Sequence, residues 1–365
     1  MFMSLIEQIE ENKRKISTDA YPMSIGEVIN LYRDGEIDIH PEFQRVYRWD
    51  KSQKSSLIES ILMGIPLPSF FVSQREDGVW DLVDGLQRLA TILSFTGEYK
   101  NEEGKLLEPL ALEKTKYISD LEGVVWKEDF GHNALPIEIQ RDFKRYKIDF
   151  KIIKKESDDN AKYDLFQRLN TGGSSLEGQE VRNCLLIMVN KAAYDFIEKL
   201  SANEDFACCT PITDRQDNER YRYELVLRFF VYKSMIETSV DVDYGNVDSF
   251  LSEQMINIFR SDSDFDYEGS EALFNEIFGK LNEQYGENTF KAYREGCFKG
   301  AFVLSRFEWI CSYILSKKIQ GINPYSDINI IINNLGEDNE YLESTKRGTG
   351  SLSRTKKLIK IAAAK

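Results

Sequence analysis

An Asp-Gly-Leu-Gln-Arg segment at residues 84–88 combines residue types that can bind phosphate. A β-branched and aromatic run at residues 79–83 precedes it and apolar residues at helical spacing follow it, which predicts a strand, a tight turn and a helix. Gly85 permits the tight turn because it has no Cβ, and Asp84 is predicted to cap the helix N-terminus. Backbone N–H groups of the first helical turn, together with the guanidinium of Arg88, would then suit a phosphate group.

The same spacing supports a purely structural interpretation. Asp84 and Arg88 are one helical turn apart in the sequence, where opposite charges pair on one face of a helix. The helix dipole also disfavours a cation in the first turn. A phosphate site and a structural ion pair are therefore both open from this segment alone.

A second polar segment, PEFQRVYRW at residues 41–49, interleaves arginine and glutamine with aromatic residues. One interpretation is a polar wall for an anionic ligand, with Arg45 as a bidentate donor. The alternative is an extended surface segment whose aromatic residues anchor it while its arginines are solvated.

A third segment, residues 163–190, contains a glycine break between two predicted helices. Arg168 and Asn170 close the first helix, and Gly172 and Gly173 interrupt the pattern. Such a loop can bring backbone N–H groups to a ligand, or it can be a simple connection. The Ser-Ser-Leu-Glu sequence that follows is a capping box and predicts the start of the second helix.

The elements around these segments predict an α+β fold for residues 1–200. Alternating polarity at residues 146–152 predicts a strand with one exposed face, and residues 69–74 and 79–83 predict a hairpin. After residue 200 the apolar spacing is helical and lacks a strong strand pattern. Residues 201–365 therefore predict a mostly α-helical domain, which ends in a basic tail.

The composition narrows the possible functions. A formal charge of −14 over 365 residues argues against a protein that binds DNA alone and non-specifically, although DNA stays possible as a partner. The two histidines, His40 and His132, do not form the clustered motif of an HNH nuclease. The sequence shows no signal-peptide core and no apolar run of membrane-spanning length, which predicts a cytoplasmic protein without a membrane partner. The oligomeric state has no signature in the sequence.

The PEFQRVYRW, DGLQR and FQRLNTGGSSLEGQEVRN segments, taken in this order, resemble the N-terminal-domain family of the GmrSD-type restriction endonucleases. That family is similar to the ParB/sulfiredoxin superfamily, and the resemblance covers residues 20–200. The family signature is Asp-Gly-Gln-Gln-Arg, and this chain has Leu86 in place of the first glutamine. The other four signature positions match residue for residue.

The resemblance implies a ParB/sulfiredoxin-like core with helical additions that binds, and often hydrolyses, a nucleoside triphosphate in anti-phage defence. Such modules commonly work with an HNH-type nuclease domain, so the resemblance implies a separate nuclease or effector polypeptide here. Arg45 and Arg88 would hold phosphates, and Gln44 and Gln87 would orient them or the nucleotide. Asp84 would hold Mg²⁺ or position water, which makes Asp84, Gln87 and Arg88 the candidate catalytic residues. The remaining ligand-binding residues would be Gly85, Arg168, Asn170, Gly172 and Gly173.

Two other functions remain open. Leu86 departs from the signature in a way that affects hydrolysis more than binding, so the pocket could be degenerate. The protein would then be a non-catalytic binding module that senses DNA or neutralises a partner effector. A metal-dependent nicking nuclease built on Asp84 ranks last, because no acidic cluster accompanies that residue in the motifs.

Overall fold

The computed structural model describes residues 4–7, 10, 17–39, 49–101, 104–127, 133–157, 178–238, 246–260 and 262–365. The chain divides into two compact units, residues 1–173 and 174–365. The first unit contains a five-stranded sheet, and the second is largely helical. The predicted α+β class, with the sheet in the N-terminal part and helices in the C-terminal part, is confirmed.

The sheet of the first unit is mixed, with strand order β1-β5-β3-β4-β2. The pairs β1–β5 and β3–β4 are antiparallel, whereas β5–β3 and β4–β2 are parallel. The strands are β1 Thr18–Ser24, β2 Ile37–Asp38, β3 Phe70–Gln74, β4 Trp80–Asp84 and β5 Lys147–Ile153. The predicted hairpin is β3–β4, and the predicted alternating strand is β5.

One hydrophobic core joins the sheet to four helices of this unit. Ile148, Phe150 and Ile152 of β5 point into the core, while the residues between them are exposed, as the alternating pattern predicted. Phe150 stacks on Phe70 of β3, with ring centroids 5.2 Å apart. The four helices are α1 Ile25–Arg33, α2 Lys51–Leu62, α3 Leu86–Thr96 and α4 Ile137–Arg145.

Helix α2 fixes the loop-rich segment that follows α3. The hydroxyl of Ser55 accepts a hydrogen bond from the backbone N–H of Glu113 at 2.8 Å. The buried carboxylate of Glu59 accepts two more, from the backbone N–H groups of Tyr117 and Ile118, each at 2.8 Å. Side chains of α2 therefore supply the acceptors for these backbone donors of the loop, which need partners when they are shielded from water.

The protonation of Glu59 follows from these contacts. Burial raises the pKa of Glu59, but the Thr115 hydroxyl and the N–H groups of Ile118 and Tyr117 outweigh burial, so the pKa is lowered from its ordinary value of 4.5. A carboxylate with a lowered pKa stabilises the fold at neutral pH, and this contribution is lost as the pH falls below 4.5 through the pKa of the folded state.

The second unit has eleven helices among its described residues and one antiparallel hairpin of β6 Ala292–Arg294 and β7 Cys297–Lys299. The helices are α5 Gly178–Val189, α6 Lys191–Ser201, α7 Glu204–Cys209, α8 Asp214–Asn218, α9 Tyr221–Thr238, α10 Val247–Phe259, α11 Tyr267–Tyr285, α12 Leu304–Ile319, α13 Ile328–Asn334, α14 Asn339–Ser344 and α15 Ser351–Ala364. Helix α9 is central, because residues on every face of its first half are buried. None of the helices in the described part of the chain is long and apolar enough to cross a membrane.

A buried ion pair places α5 in the second unit. Arg182 of α5, whose side chain is 1% exposed, pairs with Glu224 of α9 at 2.7 Å and with Asp248 of α10 at 2.9 Å. The predicted domain boundary after residue 200 therefore differs from this division, since α5 and α6 pack with the helices that follow them. The fully buried Arg182 could not lose these partners without a large penalty for an unpaired charge.

We expect the Glu59→Ala substitution to lower the free energy of unfolding of the first unit by about 2 kcal/mol, because two backbone N–H groups lose their acceptor. Urea unfolding followed by tryptophan fluorescence and circular dichroism measures this change. The matched control is Glu108→Ala, which removes the same charge from an exposed position of the same unit and should change stability by less than about 0.5 kcal/mol. Equal effects of the two substitutions would contradict the role assigned to Glu59.

Candidate functional site

Strand β4 ends at Asp84, and α3 begins two residues later at Leu86. Gly85 lies between them with φ 104° and ψ 12°, in the left-handed region. The prediction that Asp84 caps α3 is wrong: Gly85 occupies the cap position, because the sheet register pairs Asp84 with Phe71 and keeps it in the strand. Within the part of the chain that the structure describes, no side chain caps the start of α3.

Two constraints require glycine at position 85. Its positive φ strains any residue that carries a Cβ. A Cβ at this position would also lie 2.5 Å from Cδ1 of Phe70, which is fully buried in the core and cannot move away. The turn thus brings the backbone at the start of α3 directly against the β3 strand.

The guanidinium of Arg88 is held by contacts to three acceptors and one ring. It donates to Asp84 Oδ2 at 3.0 Å, to the Ser69 carbonyl at 3.3 Å and to the Pro68 carbonyl. Its Cζ lies 4.5 Å from the centroid of the Phe70 ring. The ion pair between Asp84 and Arg88 is therefore present, as the structural interpretation of the sequence predicted.

Burial distinguishes the two charged groups. The Arg88 side chain is 13% exposed and the Asp84 side chain 45% exposed, so the carboxylate faces solvent while the guanidinium lies beneath it. Burial lowers the pKa of Arg88, and the Asp84 carboxylate acts in the opposite direction. The group nevertheless stays charged at neutral pH, because arginine does not lose its proton in proteins.

The segment before α2 meets the start of α3. The backbone N–H of Trp49, the last residue of PEFQRVYRW, donates to Oε1 of Gln87 at 3.2 Å. Two of the three segments identified in the sequence therefore come together at this point. Gln44 and Arg45 of the same segment lie outside the described residues.

Of the third segment, the structure describes only the predicted second helix, which is α5. Arg168, Asn170, Gly172 and Gly173 all lie outside the residues that the structure describes, as does the predicted capping box that follows them. Their predicted contribution to the site stays a prediction.

Leu86, at the position where the resemblance expects a glutamine, is half-buried and packs against the hydrophobic core of the first unit. The side chain at this position is thus used for packing at the first residue of α3. A glutamine amide in the same position would need polar partners in the buried part of its surroundings.

An acidic pair bridged by arginine, which no local sequence pattern indicates, lies on the neighbouring strands β2 and β4. Arg75 donates to Asp38 Oδ2 at 2.6 Å and to Asp81 Oδ2 at 2.8 Å. Burial alone would lower the pKa of Arg75, but the hydrogen bonds and charges of Asp81 and Asp38 outweigh burial and raise it. Asp38 and Asp81 are paired residues of the parallel strands β2 and β4. This pairing joins distant parts of the sequence, so a local pattern does not predict it.

The binding of Mg²⁺ by Asp84 stays a prediction. The Asp84 carboxylate pairs with the Arg88 guanidinium, which opposes a dication beside it. No cluster of three or more His, Cys, Asp or Glu residues that could hold a metal ion occurs among the residues with described positions.

These elements define an α+β domain whose strand–glycine–helix turn presents an uncapped helix start beside a buried arginine. Residues 25–187 match the family model of the GmrSD restriction endonuclease, N-terminal domain. Residues 25–187 are therefore similar to this domain family, and the resemblance drawn from the three segments is confirmed. The matched residues run from the start of α1 into α5. No curated protein and no solved structure matches the chain.

We expect Gly85→Ala to destabilise the first unit by about 2–4 kcal/mol, because backbone strain adds to a collision with Phe70. The matched control is Gly78→Ala in the β3–β4 turn, where φ is 90° and no atom lies within 4 Å of the added Cβ. Gly78→Ala should lower the free energy of unfolding by about 1 kcal/mol, because it introduces backbone strain without a collision. Chemical unfolding of both variants measures the difference.

A double-mutant cycle isolates the collision. Phe70→Leu should recover part of the loss in the Gly85→Ala background, although it is destabilising by itself. If Gly85→Ala cost no more than Gly78→Ala, or if the two sites showed additive effects, the close packing of Gly85 on Phe70 would be excluded as its cause.

Proposed function

We propose that this protein is a nucleotide-binding component of a restriction or anti-phage system and that it acts with a separate nuclease or effector polypeptide. The family name, which refers to a restriction endonuclease, supports the type of system. The ligand is a nucleoside triphosphate, bound by the first unit and hydrolysed there. The separate nuclease is proposed because His40 and His132 do not form an HNH motif in this sequence.

The hydrogen bond between Trp49 and Gln87 is the observation that carries the proposal. It fixes Trp49, the last residue of PEFQRVYRW, at the first turn of α3, and Arg45 is proposed to reach the same point. A helix start attracts anions through its backbone N–H groups and its dipole. Phosphate groups placed there would meet donors from two separate segments of the chain.

Arg88 has the position and capacity to contribute. Its guanidinium carries five N–H donors, and a phosphate would take the donor that Asp84 accepts, while the Ser69 and Pro68 carbonyls keep theirs. The two carbonyls and the Phe70 ring hold the guanidinium in one orientation, which reduces the entropy lost on binding. A charge-assisted hydrogen bond to phosphate would stabilise the complex by about 1.5–3 kcal/mol.

Hydrolysis would use the same residues. Arg88 stabilises the negative charge of the transferred phosphoryl group, and the half-exposed Asp84 carboxylate positions the attacking water. Gln87 acts as a positioning residue, because its side-chain carbonyl holds the Trp49 N–H. No step of this proposal requires a metal ligand from Asp84.

A second candidate function is a non-catalytic binding module with a degenerate pocket. The ion pair between Arg88 and Asp84 favours it, because phosphate and carboxylate compete for the same guanidinium. The packing of Leu86 against the core also favours it, since no polar group occupies that signature position. Such a module would sense DNA or neutralise an effector without turning over nucleotide.

Isothermal titration calorimetry of the full chain with ATP, GTP, CTP and UTP tests the proposal. We expect one of them to bind, and we expect Arg88→Lys to weaken that binding by about tenfold to a hundredfold, because lysine cannot reproduce the fork of the guanidinium. Arg45→Ala should weaken it by a comparable factor. Phosphate release under the same conditions measures hydrolysis.

The matched control is Arg33→Lys, which makes the same replacement at a half-exposed arginine paired with Glu98 and should leave binding unchanged. Thermal unfolding of each variant separates reduced affinity from reduced stability, since Arg88 also packs on Phe70. Absence of heat with all four nucleotides would refute the proposal. Binding without phosphate release, even with DNA and a partner nuclease present, would favour the second candidate.

A further inference from the structure

Helix α15 has two faces of opposite character. Thr355, Leu358, Ile359 and Ala362 recur at helical spacing and are buried, mainly against α12. The opposite side exposes Ser353, Lys357 and Lys360, which also follow helical spacing. The predicted basic tail is thus an ordered amphipathic helix whose outer side carries its charge.

All charged side chains of residues 346–365 are positive. Residues 346–365 contain five lysines and two arginines and no acidic residue, in a chain with a net charge of −14. Carboxylates from elsewhere in the second unit neutralise three of these cations. The pairs are Arg354 with Glu308, Lys346 with Glu343 and Lys365 with Asp338.

Three cations of the segment have no carboxylate partner among the described residues. They are Arg347, in the turn before α15, and Lys357 and Lys360 on its outer side. We define Ser353, Lys357 and Lys360 as the basic face of α15, and Arg347 precedes it in the chain. Exposed cations that the fold leaves unpaired in an otherwise acidic protein attract polyanions locally.

We propose that the basic face of α15 binds the phosphate backbone of double-stranded DNA. From Ser353 to Lys360 the helix rises by roughly 10 Å, and one DNA strand presents about three phosphates over that length. Lysine and arginine supply charge to such a row, and the Ser353 hydroxyl can donate a hydrogen bond to it. The contact involves no base edges, so it positions the protein on DNA without reading its sequence.

This inference does not rest on the proposed nucleotide site. It concerns the second unit alone, and it explains how a protein with net charge −14 can engage DNA through one local surface. Because few phosphates are contacted, the affinity should be in the micromolar range and should fall as salt rises.

Fluorescence anisotropy of a labelled 30-base-pair duplex, titrated with the full chain between 50 and 200 mM salt, tests the proposal. We expect K357A/K360A to weaken binding by about tenfold or more and to reduce the slope of log K against log salt by about 2, because each missing lysine leaves one phosphate with its counterion. Both lysines are exposed, so the thermal unfolding of the variant should match that of the wild type.

The matched control is K199A/K280A, which changes the net charge equally at two exposed lysines of the same unit that pair with Glu271 and Glu283. It should bind DNA like the wild type, as should Arg88→Lys, which separates this surface from the nucleotide site. Equal losses of affinity in both double variants, or a wild type that does not bind at 50 mM salt, would overturn the proposal. So would displacement of DNA by polyglutamate at equal charge concentration, which would indicate an acidic protein as the partner.

Discussion

The guanidinium of Arg88 joins the start of β3, the end of β4 and the first turn of α3. It donates to the Pro68 and Ser69 carbonyls and to Asp84, and it lies over the Phe70 ring. These contacts are possible only because Gly85 turns the chain so closely that no Cβ would fit beside Phe70. The position of the helix start, and therefore of Gln87 and Trp49 beside it, depends on this one buried cation.

The same cation links structure to the proposed chemistry. A phosphate that binds Arg88 competes with Asp84, and a carboxylate displaced from its partner is free to act on water. Nucleotide binding would then be coupled to the release of Asp84 from Arg88. The coupling requires that the nucleotide bind the state with released Asp84 more tightly than the state in which Asp84 is paired. Retention of the ion pair in the complex would leave binding without turnover. The two candidate functions thus differ in whether phosphate replaces the Asp84 carboxylate on the Arg88 guanidinium.

Local patterns predicted most elements of the first unit, and long-range pairing explains what they missed. The alternation in β5 and the β3–β4 hairpin depend on neighbouring residues, so the sequence alone identified them. The local pattern predicts Asp84 as the N-cap of α3, but Asp84 pairs with Phe71 of β3 and stays in β4. A local pattern cannot show this pairing, because Phe71 lies on another strand. The Arg75 cluster was missed for the same reason, because it requires the β2–β4 pair. At the site itself, the structural ion pair and the phosphate site both involve Asp84 and Arg88. The spacing of these two residues therefore could not distinguish the two interpretations.

Several buried charges of the second unit are paired, whereas the lysines of the basic face have no carboxylate partner among the described residues. Glu224 lies between Arg182 and Arg228, and Glu308 accepts from Arg354 while lying 3.5 Å from Arg228. Each of these groups is expensive to bury alone, so burial forces compensation. Exposed lysines face no such requirement, because water and counterions solvate them. Their placement along one side of α15, without an acid in the segment, is therefore not imposed by the fold, and it is the basis on which a polyanionic partner is proposed.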